Sequence, residues 1–539
     1  MKRATFIVVI LGILFLVLLA ARTNVVPLRS ASAIEDRNAK TKTEKPPAVV
    51  PVSESDFAKR INQLIDESGF TSARWGVSVI SLSDGAPLYS RNGDRLFTPA
   101  SNMKIYTTAV ALDLLGADYR WRTSVYVDKP PDASGTVSGD LILYGRGAPD
   151  LVSHNRNNNQ ASLGQLADDL YARGIRRVQG NIVGDESYFR GNSLGDGWQW
   201  NDIQWYFGAE ASALSIDGNE IHVSVVPSSN AKEPPAVRTT DGEAYVTVRN
   251  RMVVGKPSMR PTIGMNRGLS DNNITVWGEM PPGSKGFGAR LSVHNPALRT
   301  AHLFRDALKK RGISIDGQAE SRDSRVAPSQ RFNPTQAVEL ASVTSKPLSE
   351  IARITNKESN NLFAELILRT LGRERGAMLE TPEPPGRERG DDEAGVAVVR
   401  LWLARAGVPT TGLAIHDGSG LSRLNLVTPD STARLLIAVA KTASGELFKQ
   451  SLPIAGKDGT LAGRLKSVNE RVIAKTGSLT YNNSLSGFAT SPEGKIFAFS
   501  ILCNDQTGRG NNTRLIDDIT ALIAVFPNLP DAKPQNPNK

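Results

Sequence analysis

A serine and a lysine stand three residues apart in "TPASNMKIYTTAVALDLLG", residues 98–116, a run whose later part is apolar. Thr98 is a favoured cap and Pro99 suits a first helical position, so the pattern predicts a helix starting there with Ser101 near its third position. The N–H of Ser101 is then one of those without a partner inside the helix, and the positive end of the helix dipole lies beside its hydroxyl. Lys104, one turn on, shares that face. An amine held neutral by burial or by a neighbouring cation can take the serine proton and leave an activated nucleophile. Ser-x-x-Lys alone is met about once by chance in a chain this long. A capped helix with a solvated lysine accounts for it equally well, so the other groups that such chemistry needs must decide.

Two further clusters supply them. "KESNNLFAE" carries Ser359-Asn360-Asn361 between helical segments. Its hydroxyl can relay a proton to a leaving amine, and the Asn361 amide can hold a substrate carbonyl and keep Lys104 in place. The competing account is a helix-start cap. "RVIAKTGSLTYNNSLSGF" carries Lys475-Thr476-Gly477 in an expected strand. Lys475 and Thr476 offer a cation and a hydroxyl to a terminal carboxylate. Gly477 keeps the strand edge clear for an extended peptide, unless it marks only a turn or bulge. Helix, loop and strand in this order converge on a serine acyl-transfer site.

These motifs resemble those of the penicillin-binding proteins and serine β-lactamases. More narrowly, the chain resembles the class C low-molecular-mass penicillin-binding proteins, the D-alanyl-D-alanine carboxypeptidase/endopeptidase family. The long stretch between Ser101 and Ser359 matches that family's large insertion, which class A β-lactamases lack. "QGNIVGDESYF", "GWQWNDIQWYFGAEASALSIDGN", "HDGSGLSRLNLVTP" and "LPIAGKDGTLAGR" are similar to family segments. Ala148 in "YGRGAPDL" departs from a common Gly-Asp-Pro, and Ser478 stands where threonine is frequent. The resemblance implies that Ser101 is acylated, that Lys104 is its general base, and that Ser359, Asn361 and Lys475 complete the proton and hydrogen-bond network. It places Thr476, Gly477 and Ser478 against substrate, with the Ser101 and Ser478 N–H groups forming the oxyanion hole. Arg423 would grip a carboxylate of the stem peptide's side chain, and Asp185 would shape the pocket. The implied reaction is two-step acyl transfer on peptidoglycan stem peptides, with D-alanine released, β-lactams as inhibitors, and neither metal nor cofactor.

The elements that must position these groups follow an α+β pattern. The 539 residues exceed what one core usually holds, so two or three domains are expected. Residues 1–33, "MKRATFIVVILGILFLVLLAAR" and the segment up to Ala-Ser-Ala, read as a signal peptide or signal-anchor. Export to the periplasm or to the outer face of the bacterial cytoplasmic membrane follows, with membrane contact only through that segment. Residues 34–52 read as a flexible linker and 528–539 as a disordered tail. Residues 53–120 and 340–527 are expected to form a penicillin-binding-protein/serine β-lactamase-like transpeptidase domain, an antiparallel sheet flanked by helices. Residues 121–339, with short alternating runs and few long helical patterns, are expected to form a β-rich inserted region.

Composition narrows the classes. The formal charge of +10 is spread among acids, with no dense basic stripe, so nucleic acid is not an expected partner. It suits a carboxylate-bearing substrate or an anionic envelope surface. The single cysteine, Cys503, lies in an apolar run and reads as a core residue. His416-Asp417 raises a Ser-His-Asp hydrolase, but no Gly-x-Ser-x-Gly elbow accompanies it. A zinc peptidase lacks His-Glu-x-x-His. A serine β-lactamase, or a catalytically weak scaffold that binds peptidoglycan, stand as the alternatives.

Overall fold

The alternating runs at the two ends of the chain meet in one sheet. The computed structural model describes residues 53–528 except 71, 154–161, 231, 241–244, 381, 509 and 511. The expected leader, linker and all but the first residue of the expected tail lie outside the described residues. Val472–Leu479, Asn482–Thr490 and Ile496–Asn504 pair antiparallel in succession, and Arg74–Ser81 and then Pro87–Arg91 extend the sheet beyond Ile496–Asn504. The strand carrying Lys475-Thr476-Gly477 is therefore an edge strand.

Helices cover both faces. Glu54–Asp66 starts at Ser53, whose Oγ accepts from Asp56 N at 3.2 Å, and its Phe57, Ile61 and Ile65 recur on one stripe. That stripe and the helix Asn512–Val525 pack with Val77, Val79, Phe499 and Ile501 in one core. The other face lies in the core shared with Met103–Leu114 and Pro429–Ala440. All ten residues from Met103 to Leu112 are buried, so this helix runs through the interior and shows no polar face.

Its entry differs from the expectation. Thr98 does not cap it: Asn504 Oδ1 takes the Thr98 N–H at 2.7 Å, and Asn504 Nδ2 donates to the Thr98 carbonyl at 3.1 Å. A 3₁₀ turn, Ala100–Asn102, precedes the α-helix, and Ala100 is left-handed at φ 49°. Ser101 thus sits in a strained turn ahead of the helix proper. The turn is tied to the sheet through Ser484 Oγ to Pro99 O, 2.7 Å, and Asn102 Nδ2 to Ser486 Oγ, 2.8 Å.

The inserted region carries more helix than its sequence suggests. Its five-stranded sheet runs Ala319–Arg322, Ile182–Asp185, Leu141–Tyr144, Arg122–Val127 and Val338–Thr344. Ser162–Ala172 and Pro296–Arg311 pack on it through Leu166, Leu170, Phe304 and Leu308, apolar positions obscured in sequence by polar neighbours. A separate small core of Ile221, Val223, Met252, Ile274 and Val276 joins two three-stranded sheets, so the region has two parts. Its last strand pairs with its first, Thr344 opposite Arg122. There the chain closes on itself: Trp121 N–H donates to Ser345 Oγ and Ser345 N–H to Trp121 O, both at 2.9 Å. Among the described residues no helix is long and apolar enough to cross a membrane.

Phe57 is fully buried between the rings of Tyr89 and Phe526, with centroids at 6.4 and 5.0 Å. Phe57→Ala is expected to cost about 3–5 kcal/mol through the cavity it leaves. Thermal unfolding should show the loss as a lowered Tm, with the rate of Ser101 acylation per folded molecule unchanged.

Candidate active site

The amine of Lys104 is fully buried and has three polar neighbours. Ser101 Oγ lies 2.9 Å away, Asn361 Oδ1 at 2.6 Å and the Ser419 carbonyl at 2.7 Å. Two of these can only accept. A neutral amine has two N–H bonds, and the two acceptors occupy them. Its lone pair is then left for the Ser101 hydroxyl. Burial pushes Lys104 down to about 7, against the opposing pull of Asp417 and Glu365. The proton-accepting form is thus well populated at neutral pH.

The Asn361 amide is held the right way round from behind. Its Nδ2 donates to the carbonyl of Phe207, in the inserted region, at 2.9 Å, which turns Oδ1 toward Lys104. The three residues of Ser359-Asn360-Asn361 divide the work. Asn360 caps the helix Asn361–Arg375 by accepting from Phe363 N at 3.0 Å, so the capping account is right for that residue. Ser359 takes a left-handed φ of 58° between two helices, and its Oγ lies 3.0 Å from Lys475 Nζ. Lys475 is also fully buried, and burial, then the charge of Lys104, push it well below the ordinary lysine range. Lys475 Nζ donates to Thr476 O at 2.8 Å, and Thr476 Oγ1 pairs with Thr460 Oγ1 at 2.8 Å.

Gly477 is needed for a reason other than substrate access. A Cβ there would lie 2.2 Å from Ser484 Oγ, 2.8 Å from Pro99 O and 3.0 Å from Ser101 N. The missing side chain lets the nucleophile's turn sit flush against the strand. Ser478, exposed at the strand edge, lines the cleft with Ser101, its Oγ donating to Asn483 Oδ1 at 2.8 Å.

Two buried carboxylates shape the loop that delivers the Ser419 carbonyl. Glu365 Oε1 accepts from the N–H groups of Gly418 at 3.0 Å and Ser419 at 2.9 Å, while its Oε2 pairs with Arg369 at 2.8 Å. Asp417 accepts from Gly420 N at 2.8 Å, Ser422 N at 2.7 Å, Asn425 Nδ2 at 2.7 Å and Trp198 Nε1 at 2.9 Å. Gly420, at φ 84°, passes so close that a Cβ would lie 1.8 Å from Ala100 O. Sequence reading gave no role to Glu365, Ser419, Trp198 or Phe207, and met Asp417 only as half of a rejected triad and within a family-like segment. The available signal was Glu365 and Arg369 four apart in the otherwise apolar "NLFAELILRTLG".

A cleft of about 730 Å³ opens over this centre, lined by Ser101, Ser359, Asn361, Arg423 and Ser478. Arg423 faces it beside Asp202, 2.8 Å away, so the wall presents a cation and a carboxylate together. Asp185 does not reach the cleft. It is fully buried in a strand, where Ser187 N, Ser187 Oγ and Arg322 occupy its carboxylate at 2.9, 2.6 and 3.4 Å. The expectation that it shapes the pocket is corrected accordingly. A larger cavity, about 1060 Å³ between the inserted region and residues 384–396, contains none of the motif residues. Among the described residues no group of three or more His, Cys, Asp or Glu could hold a metal ion.

Comparison with known proteins agrees with this architecture. The model of the D-Ala-D-Ala carboxypeptidase 3 (S13) family matches residues 57–524. A D-alanyl-D-alanine carboxypeptidase of Actinomadura sp. (strain R39) is 33% identical over 474 residues, spanning 84% of this chain and 82% of the relative. The D-alanyl-D-alanine carboxypeptidase DacB of Haemophilus influenzae is 28% identical over 413 residues, 76% of this chain and 80% of its own. The crystal structure of penicillin binding protein 4 from Haemophilus influenzae superposes with a TM-score of 0.72 at 24% identity, covering 88% of this chain and all of that one, and shares the fold.

Gly477→Ala is expected to force the Ser101 turn off the strand and to slow acylation roughly 100-fold, the scale of an ångström's misplacement. Stopped-flow acylation by a fluorescent penicillin checks the rate, and circular dichroism checks that the fold is kept.

Proposed function

The chain belongs to the D-Ala-D-Ala carboxypeptidase 3 (S13) family, and from that premise we propose that it is a serine D-alanyl-D-alanine carboxypeptidase acting on peptidoglycan stem peptides through an acyl-enzyme on Ser101. The observation that carries this reading is the contact set of the buried Lys104 amine: Asn361 Oδ1 and the Ser419 carbonyl, which only accept, and Ser101 Oγ, the one neighbour that can also donate.

The substrate extends along the outer edge of Val472–Leu479 past its bridge to Ile454, at residues 475–479, adding a strand. Its terminal carboxylate rests near Lys475, Thr476 and Ser478. As Ser101 attacks the D-Ala-D-Ala carbonyl, Lys104 takes its proton, and the N–H groups of Ser101 and Ser478 meet the oxyanion. The C–N bond breaks and D-alanine leaves with the proton that Lys104 took from Ser101, relayed to its nitrogen through Ser359, which Lys475 holds, so that Lys104 is neutral again. Water then hydrolyses the ester and restores Ser101. β-Lactams enter as substrate mimics and leave a slowly hydrolysed acyl-enzyme. Endopeptidase cleavage of a cross-link uses the same steps, with a longer leaving amine in the open cleft. Arg423 and Asp202 suit a stem-peptide side chain bearing both a carboxylate and an ammonium group. The work takes place outside the cytoplasmic membrane, after export.

Purified protein incubated with fluorescent penicillin is expected to form a one-to-one adduct by intact mass that Ser101→Ala abolishes. The same preparation should release D-alanine from a pentapeptide stem. Rapid drug turnover without adduct would indicate a β-lactamase, and neither adduct nor turnover a scaffold. Arg423→Ala is expected to raise KM for stems whose third residue carries a side-chain carboxylate, by about tenfold for a lost charge-assisted contact, while leaving penicillin acylation intact.

A further inference from the structure

The two acceptors that orient Lys104 are both set by one segment of the inserted region. The Phe207 carbonyl fixes the Asn361 amide from behind, 2.9 Å from its Nδ2. Trp198, ten residues or fewer before it in the chain, donates its indole N–H to Asp417 at 2.9 Å. Asp417 in turn gathers Gly420 N, Ser422 N and Asn425 Nδ2, and Ser419 Oγ donates to it at 3.2 Å. The loop so formed carries the Ser419 carbonyl, 2.7 Å from Lys104. The segment is itself wound tightly: Trp205 N–H donates to Asp202 O at 3.0 Å and Gly208 N–H to Trp205 O at 2.8 Å. A Cβ on Gly208 would lie 2.4 Å from Asp202 O. The Phe207 carbonyl thus holds Asn361, which meets Lys104 directly, while Trp198 holds Asp417, whose loop carries the Ser419 carbonyl to Lys104.

We propose that residues 198–208 of the inserted region orient the general base, with Trp198 acting as a positioning residue through Asp417 and the Phe207 carbonyl through Asn361. On this account the insertion is a working part of the acylation machinery. Without it, nothing described here turns Asn361 Oδ1 toward Lys104, and the Asp417 loop loses one of its donors. The proposal rests on the reading of Ser101 as the acylated nucleophile and Lys104 as its base.

The consequence can be read in a pH profile. The charged groups acting on Lys104 are Asp417 and Glu365, which favour its protonated form, and Lys104 in turn lowers Lys475, the other buried amine of the centre. Glu365 is paired with Arg369. The indole N–H offsets part of the Asp417 charge. Trp198→Phe exposes Lys104 to more of that charge, so Lys104 holds its proton to higher pH and the acid limb of acylation moves up. Asp417→Asn removes the charge, and the limb moves down. A merely structural role lowers the folded fraction and moves the limb in neither direction.

The experiment measures the second-order rate of Ser101 acylation by a fluorescent penicillin from pH 5 to 9, for the wild type and for Trp198→Phe, Asp417→Asn and Gly208→Ala. Intact mass and circular dichroism accompany each. Trp198→Phe and Gly208→Ala are expected to slow acylation roughly 10- to 100-fold, the scale of a displaced catalytic group. The acid limbs of Trp198→Phe and Asp417→Asn are expected to shift in opposite senses. The inference is overturned if folded Trp198→Phe and Gly208→Ala acylate within twofold of wild type, or if Trp198→Phe slows with its acid limb unmoved, whatever Asp417→Asn does. A wild type that forms no adduct at all overturns instead the acyl-enzyme reading beneath it.

Discussion

A primary amine buried without a carboxylate in contact must give up its proton or meet the cost of keeping it in a poorly solvating interior. Lys104 is such an amine, and the rest of the centre is arranged around the consequence. Once neutral, it has two donors and one lone pair, and the side chains fix which way each points. Asn361 Oδ1 and Ser419 O take the donors, so the lone pair has one remaining neighbour, Ser101 Oγ. The hydroxyl is activated by elimination of every other arrangement. Asp417 and Glu365 keep the balance from tipping too far, since their charge draws Lys104 back to about 7 where burial alone would push it lower. A base poised there works at neutral pH without being permanently charged or permanently inert.

The fold serves this arrangement through close approaches. The nucleophile's turn lies against the edge strand because Gly477 has no side chain, and against the Asp417 loop because Gly420 has none. Serines 484 and 486 on the neighbouring strand hold the turn from beneath. Behind it, a helix buried on all sides fixes Lys104 at a single height. The strain in Ala100 and Ser359, both left-handed, falls at the two points where hydroxyls must face the cleft. The inserted region, usually describable as an appendage on connectivity alone, reaches into this centre through Trp198, Asp202 and Phe207.

Much of this was legible in the sequence, and the parts that were not share a cause. Ser101, Lys104, Ser359, Asn361 and Lys475 were found because short spacing rules describe local geometry, and the structure gathers them as two hydrogen-bonded groups, Lys104 with Ser101 and Asn361, and Lys475 with Ser359. The three last strands were legible from alternation and turn residues. The helix start at Thr98 was misplaced because Asn504, some four hundred residues away, takes the Thr98 backbone groups that a cap would have organised. Asp185 was expected at the pocket from the resemblance, yet its strand is interior and Ser187 and Arg322 are its partners there. Trp198 and the Phe207 carbonyl were invisible because one acts through a partner two hundred residues off and the other through its backbone, which has no residue type to read. The pairing of Val338–Thr344 with Arg122–Val127 was not legible, since strand pairing is a long-range property.

The account stands on Lys104 being neutral when it acts. The most direct test is the pH dependence of wild-type Ser101 acylation by a penicillin under single-turnover conditions. The rate should rise about tenfold per pH unit on the acid side, as one proton is lost, and level off above about 7. A rate independent of pH from 5 to 9, or one that levels off only near the ordinary lysine value of about 10.4, would contradict it.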